Sequence, residues 1–266
     1  MINQDNIIPD SIRGDHPPGV ICVASGELAR YPSFADSMIQ LLRPRGTHVA
    51  WNCGLNVAAN FNLAIRTMLS QPQWQWAWIM GDDHEFDPTT LLRLLDREKD
   101  ILVPLCVRRQ PPFIPVLFKE ERPDTPFGQF PPYWWHELPA HGLHEVHVAG
   151  SAGMLIRRHV PETMEDPWFE AGRMGRDLTN EDTWFCKKAR QLGFSIYADC
   201  DVQMYHWTPM ALVPVRTSQG WTVGIKIGND LTVSLPHHIL EVWGGQIKEE
   251  TKETFAARQA AQPGGL

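Results

Sequence analysis

Three short apolar runs, Gly19–Ala24, Thr47–Asn52 and Trp74–Met80, alternate with two segments whose apolar residues recur at helical spacing, and this order limits the possible architectures most severely. The first helical segment carries Phe34, Met38, Leu41 and Leu42; Pro32-Ser33 opens it, with Ser33 placed to cap it, and Pro44-Arg45-Gly46 stops it. The second spans Gly54–Ser70 and carries Leu55, Ala58, Ala59, Leu63, Ile65 and Met68. Strand, helix, strand, helix, strand is the signature of an α/β fold built on a mostly parallel sheet flanked by helices.

The alternation continues through a helix at Thr89–Arg97, opened by Asp87-Pro88, and a strand at Asp100–Val107. Residues 110–145 then change character: proline-rich and dense in aromatics, they read as a long excursion over the open face of the sheet, where long loops carry function. A strand at Glu145–Ala149, the segment Gly150–Arg157, a helix over Asn180–Leu192 and a strand at Ser195–Asp199 follow. Beyond Thr208, Trp221–Ile227 and Leu231–Leu235, joined by Gly228-Asn-Asp230, form a C-terminal β-hairpin pattern, and a polar helical tail starts at Lys248. The expected divisions are an N-terminal extension (1–18), a main domain (19–207), a hairpin region (208–247) and a tail (248–266).

Charge narrows the partners. With 24 basic against 31 acidic residues the chain carries a net charge of -7, so it lacks the cationic surplus of a general duplex-DNA binder. No apolar run reaches membrane-spanning length and the first residues lack the pattern of a signal peptide, which sets a cytoplasmic expectation. The five cysteines are scattered without a C-x-x-C pair and are expected to be reduced and mostly buried.

The segment most suggestive of chemistry is Ile79-Met-Gly-Asp-Asp-His84. Adjacent acidic side chains at the carboxyl end of a buried strand face the crevice where open α/β sheets bind ligands. Two carboxylates and an imidazole there make a site for Mg²⁺ or Mn²⁺, which normally completes its shell with water and substrate phosphate. A nucleoside diphosphate is the natural companion. Capping of the next helix does not explain the triplet, because Asp87 already supplies that cap.

Here the chain resembles the GT-A (Rossmann-like) glycosyltransferases, especially family 2-like enzymes and phage or bacterial members. The resemblance rests on Gly81-Asp82-Asp83-His84 as a strand-end D-x-D-type motif, Gly54-Leu-Asn-Val-Ala-Ala-Asn60, Gly150-Ser-Ala-Gly153, Asp166-Pro-Trp-Phe169, Asn180-Glu-Asp182, Gly193-Phe-Ser-Ile and the later His206. These fall in family order over roughly residues 19–207. Two departures stand out: Ala59 occupies a position where arginine is common, and Gly81 one where many members have aspartate. The resemblance implies a metal-dependent transfer of a sugar from a nucleoside diphosphate, with uridine as the expected nucleoside, to an acceptor hydroxyl of a glycan, a lipid or a modified nucleobase. Asp83 would bind the metal, Asp82 would hold the ribose or share the ion, and His84 and His206 would complete the shell. In an alternative D-x-H register the ligands are Asp82, His84 and His206. An extended segment would place side chains 82 and 84 on one side and 83 on the other.

Asp182 is the expected general base, since a sugar hydroxyl must lose its proton to become a nucleophile; Glu181 would assist or position the acceptor. Capping of the following helix by Asn180 or Asp182 is the structural alternative. Inverting and retaining chemistry both remain open. Donor contacts are expected from Ala24, Ser25 and Glu27 after the first strand, Asn52 after the second, Asn60, and Arg109 with Arg108 as its neighbour. Trp134, Trp135 and Trp168 are expected to offer indole faces to the acceptor. The spacing of His141, His144 and His147 with Glu145 suggests zinc only weakly, because in a strand successive members would alternate faces. Two competing functions are a nucleotidyltransferase, whose lysine-bearing Gly-rich loop Gly19–Arg30 lacks, and a non-catalytic carbohydrate-binding protein.

Overall fold

Consecutive side chains of the first strand feed two different cores. The computed structural model describes residues 16–25, 31–109, 113–121, 130–174, 177–218, 220–227 and 231–234. It opens with β1 (Val20–Ser25), α1 (Pro32–Gln40), β2 (His48–Cys53), α2 (Val57–Leu69), β3 (Trp76–Gly81), β4 (His84–Phe86), α3 (Thr90–Asp96) and β5 (Ile101–Cys106). Val20, Cys22 and Ala24 pack with Ala77 and Ile79 of β3 against Phe61, Ala64, Ile65 and Met68 of α2. Ile21 and Val23, with Trp76, Trp78 and Met80, pack against Phe34 and Met38 of α1 and Leu91, Leu92, Leu94 and Leu95 of α3. A strand buried on both faces has no polar alternation to show, so these segments read as unbroken apolar runs.

The chain continues with β6 (Leu117–Phe118), β7 (Leu143–Val146), β8 (Val148–Ala149), β9 (Met154–Arg157), α4 (His159–Thr163), β10 (Gly172–Met174), β11 (Asp177–Thr179), α5 (Glu181–Gln191) and β12 (Ile196–His206). The main sheet runs β2-β1-β3-β9-β5-β12-β4, with β7 also on β12. β1 is parallel to β2 and β3, and β5 is parallel to β12, while β9 runs antiparallel between β3 and β5. The expected α/β class, with a mostly parallel sheet between helices, is the one observed. Its antiparallel members β4, β7 and β9 were not foreseen.

Several local expectations are corrected. Ser33 does not cap α1; Tyr31 occupies the cap position and Pro32 takes the first helical turn, where its missing N–H costs nothing. The strand expected at Glu145–Ala149 is two strands in different sheets, β7 on β12 and β8 on β6. β12 is far longer than Ser195–Asp199. It shifts register against β5 between Asp199 and Gln203, and this irregularity is clasped from α3's end: Arg97 donates to buried Asp199 at 2.7 Å and to Asp201 at 3.0 Å. The chain divides after Trp207 into two compact units. In the second, the two hairpin strands, β14 (Gly220–Ile227) and β15 (Leu231–Ser234), are joined by β13 (Met210–Thr217) in a three-stranded antiparallel sheet. The polar tail from Lys248 lies outside the described residues. Among the described residues no helix is long and apolar enough to cross a membrane.

Candidate functional site

At Gly81 the chain leaves β3, and Asp82-Asp83 turn it so that β4 pairs antiparallel with the end of β12, setting His84 directly opposite His206. Direct cross-strand partners hold their side chains in contact. The two imidazoles stack with centroids 4.6 Å apart and planes 20° from parallel. His206 Nδ1 lies 2.8 Å from the Val107 carbonyl oxygen and His84 Nδ1 3.3 Å from that of Gly81. A ring that donates Nδ1–H to a carbonyl keeps its Nε2 lone pair free, the arrangement in which histidine ligates metals. Among the described residues, buried His84 Nε2 has no hydrogen-bond partner. One ligand atom from each of His84, His206 and Cys106, the last residue of β5, lies within 4.8 Å of the others. Burial lowers the His84 pKa to about 4 against the pull of Asp83, so the ring is neutral and able to ligate at physiological pH.

Asp83 stands beside this group. Its carboxylate lies 3.2 Å from His84 Nδ1 and 3.4 Å from His206 Nε2, and Arg109 Nη1 donates to it at 2.7 Å. Burial alone would raise its pKa, but bonding to His206 and the nearby charges of His84, His206 and Arg109 bring it to about 2. Asp82 is buried, and its Oδ2 has no hydrogen-bond partner among the described residues. The expected alternation of 82 and 84 against 83 is not found: the segment turns at 82 and 83, and all three residues line one cleft. The turn explains Gly81 as well. A Cβ there would sit 2.8 Å from Asp83 Oδ1, so the carboxylate occupies the space a side chain at 81 would need.

The cleft has a volume of about 300 Å³ and brings together Ala24, Asp82, Asp83, His84, Arg109, Glu181, Asp182 and His206, drawn from four strand ends or loops and the start of α5. Asn180 caps α5, its side-chain oxygen accepting from the Thr183 N–H at 3.0 Å, so Asp182 has no capping task. Its carboxyl is enclosed instead. Oδ1 is sealed from solvent without a hydrogen-bond partner among the described residues. Burial, reinforced by the charge of Glu181, raises the Asp182 pKa to about 7, although hydrogen bonds with Ser151 oppose the rise.

Other expected residues fall elsewhere. Ser25 ends β1, where its hydroxyl accepts from Trp51 Nε1 at 2.5 Å, and Asn52 donates to Cys22 Sγ at 3.6 Å. Asn60 is buried in α2 and donates to the Leu55 carbonyl at 3.3 Å. These three do not line the cleft, and Glu27 lies outside the described residues. Trp168 is corrected: it is a core residue whose Nε1 donates to the Pro161 carbonyl at 2.9 Å, leaving no open face for an acceptor. Trp134 and Trp135 are half exposed at a 3-10 turn and do not line the cleft. His141, His144 and His147 do not form a metal-capable group among the described residues; His141 pairs with Asp201 at 3.0 Å. A larger depression of about 510 Å³ includes Asp36, Asp87 and Asp201, but these are engaged by Gln40, Thr89 and Arg97 respectively.

Cys106 and Ser151 were missed. Cys106 ends β5, and the strand-end rule that singled out Asp82 and Asp83 would have reached it if the sheet order had been known. Ser151 lies in a loop whose partner is visible only once α5 is in place.

No protein-family profile and no curated protein sequence matches the chain. Among solved structures, A197 from STIV is similar at a TM-score of 0.50 and 15% identity, over 83% of this chain and 99% of A197. The likeness is one of fold. GalNAc-T7, solved with UDP, GalNAc and Mn²⁺, aligns at a TM-score of 0.48 and 10% identity, over 76% of this chain and 47% of its own.

Proposed function

We propose that this chain is a metal-dependent glycosyltransferase that moves a sugar from a nucleoside diphosphate, with UDP as the carrier, to an acceptor hydroxyl. The observation that carries this reading is the meeting, in one cleft, of an Asp-Asp-His turn and a distant histidine with an enclosed carboxyl of raised pKa. His84 and His206, each with Nδ1 turned to a carbonyl, fit a divalent cation, with Asp83 beside them and Asp82 close by. The ion, when bound, would offset charge on the leaving diphosphate.

The chain's own residues supply the rest. Arg109, close to half exposed on Asp83, has a planar guanidinium able to turn to a phosphate oxygen. Asp182 accepts the acceptor's proton as the new C–O bond forms and the bond to the diphosphate breaks. A base with a pKa near neutrality combines a useful ionised fraction with a strong pull on the proton. Glu181, at the cleft and next to Asp182, is placed to hold another acceptor hydroxyl.

Calorimetric titration with UDP, in Mn²⁺ and then in chelator, tests the cation role. Binding is expected in Mn²⁺ and a loss of at least about tenfold in chelator, the scale seen when metal-site partners are removed. Equal affinity in both would exclude a manganese-dependent mode of donor binding. Hydrolysis of a panel of nucleotide sugars in the same buffer identifies the donor.

A further inference from the structure

Cys106 is placed with the two histidines by the sheet itself. It ends β5 in parallel register with Met204 of β12, and His206 lies two residues further along, on the same face of that strand. The sulfur is nearly buried and, among the described residues, belongs to no disulfide and makes only a long contact of 3.8 Å with its neighbouring carbonyl, that of Val107. The other buried thiols with described contacts lie differently: Cys186 donates to the Ala149 carbonyl at 3.5 Å, and Cys22 to that of Asn60 at 3.6 Å. Among the described residues, Cys106 alone shares a metal-capable group with imidazoles, its ligand atom and theirs all within 4.8 Å.

We propose that Cys106 is a third protein ligand to the cation of this cleft, and that the site therefore takes Zn²⁺ or Co²⁺ in preference to Mg²⁺ or Mn²⁺. The inference rests on the reading that the cleft holds a divalent ion, and it refines which one. Thiolate sulfur and imidazole nitrogen suit zinc and cobalt, whereas magnesium and manganese favour oxygen, and manganese is the weakest binder of the first-row series. Three protein donors are also the number used by catalytic zinc sites, which keep a further position for water or substrate oxygen. Here that position would take a diphosphate oxygen. The bond to sulfur forms as the thiol proton leaves to the buffer, one proton per ion, and nothing is oxidised or reduced.

The competing account is that Cys106 is a small apolar side chain filling the core. Titration of the metal-free protein with Co²⁺, followed by absorption, separates the two. Sulfur ligation gives a charge-transfer band in the near ultraviolet, whereas cobalt held by nitrogen and oxygen gives only its weaker visible bands. The wild type is expected to show the charge-transfer band. Cys106→Ser and Cys106→Ala, both checked for native circular dichroism, are expected to lose it, to bind Co²⁺ at least about tenfold more weakly, and to lose much of their preference for Zn²⁺ over Mn²⁺. Cobalt binding without the band, or a band that survives in both variants, would overturn the role of Cys106 and leave the cation reading intact. Failure of the wild type to bind Co²⁺, Zn²⁺ or Mn²⁺ would overturn both.

Discussion

The two walls of the cleft treat a carboxyl group in opposite ways. On one wall Asp83, ringed by Arg109, His84 and His206, has a pKa of about 2; on the other Asp182, enclosed and beside a second carboxylate, has a pKa of about 7. The residue type is the same and the environments divide the labour: one carboxylate remains a fixed charge across the physiological range, and the other can exchange a proton. Their effects on folding are opposite in sign. Folding raises Asp182 from 3.8, so its folded form keeps a proton that the unfolded chain releases, and its contribution favours folding most below about pH 4 and declines as pH rises towards 7. Folding lowers Asp83 from 3.8, so its contribution is complete above that value and is lost as pH falls through 2.

The largest expected effect comes from breaking the second wall. Asp182→Asn is expected to cut transfer by about 10² to 10⁴ while leaving donor affinity near wild type, as measured by initial rates and UDP titration. The same variant should melt at a higher temperature than wild type above pH 7, because the amide never has to ionise in the enclosed site; the shift is roughly 2–4 °C for each kcal/mol relieved. Near wild-type turnover would move the base to Glu181. Loss of stability together with donor binding would make the acidic pair structural.

Breaking the first wall should act on binding instead. Asp83→Ala is expected to weaken Mn²⁺-dependent UDP affinity by about 10- to 100-fold, read by calorimetry beside His84→Ala and His206→Ala. A larger loss from either histidine variant would put the ion on the imidazoles and leave Asp83 as a positioning charge. The finest test is Gly81→Ala, which moves Asp83 without removing it. The added Cβ would meet Oδ1 at 2.8 Å, so a smaller loss, about tenfold or less, is expected with an unchanged rate at saturating donor. No change in affinity would show that the exact seat of the Asp83 carboxylate is immaterial.

Much of the fold was legible because burial on both faces leaves an unmistakable apolar run in β1 and β3, and because Asn180 is a good cap at the head of its helix. The antiparallel strands were not legible. β4 is three residues long and pairs with a strand more than a hundred positions away, so no periodicity within a local window could announce it. The same limit governs the cleft. Asp82, Asp83, His84 and Asp182 stood out because acidic pairs at element ends need a reason; Cys106 and Ser151 did not, since a cysteine after an apolar strand and a serine between glycines look ordinary. Trp168 misled in the opposite sense: a tryptophan near a family-like segment suggested a sugar platform, while its neighbours Phe169 and Phe185 made it core.

The clasp of Arg97 on Asp199 and Asp201 sits where β12 slips its pairing with β5, seven residues before His206 counted from Asp199. The stretch between works as a measured length, because side chains alternate faces at every step along a strand. A single codon gained or lost there would deliver His206 to the wrong side of the sheet without altering any residue of the cleft. Drift in this part of the gene can therefore exchange one side chain for another far more freely than it can change the count.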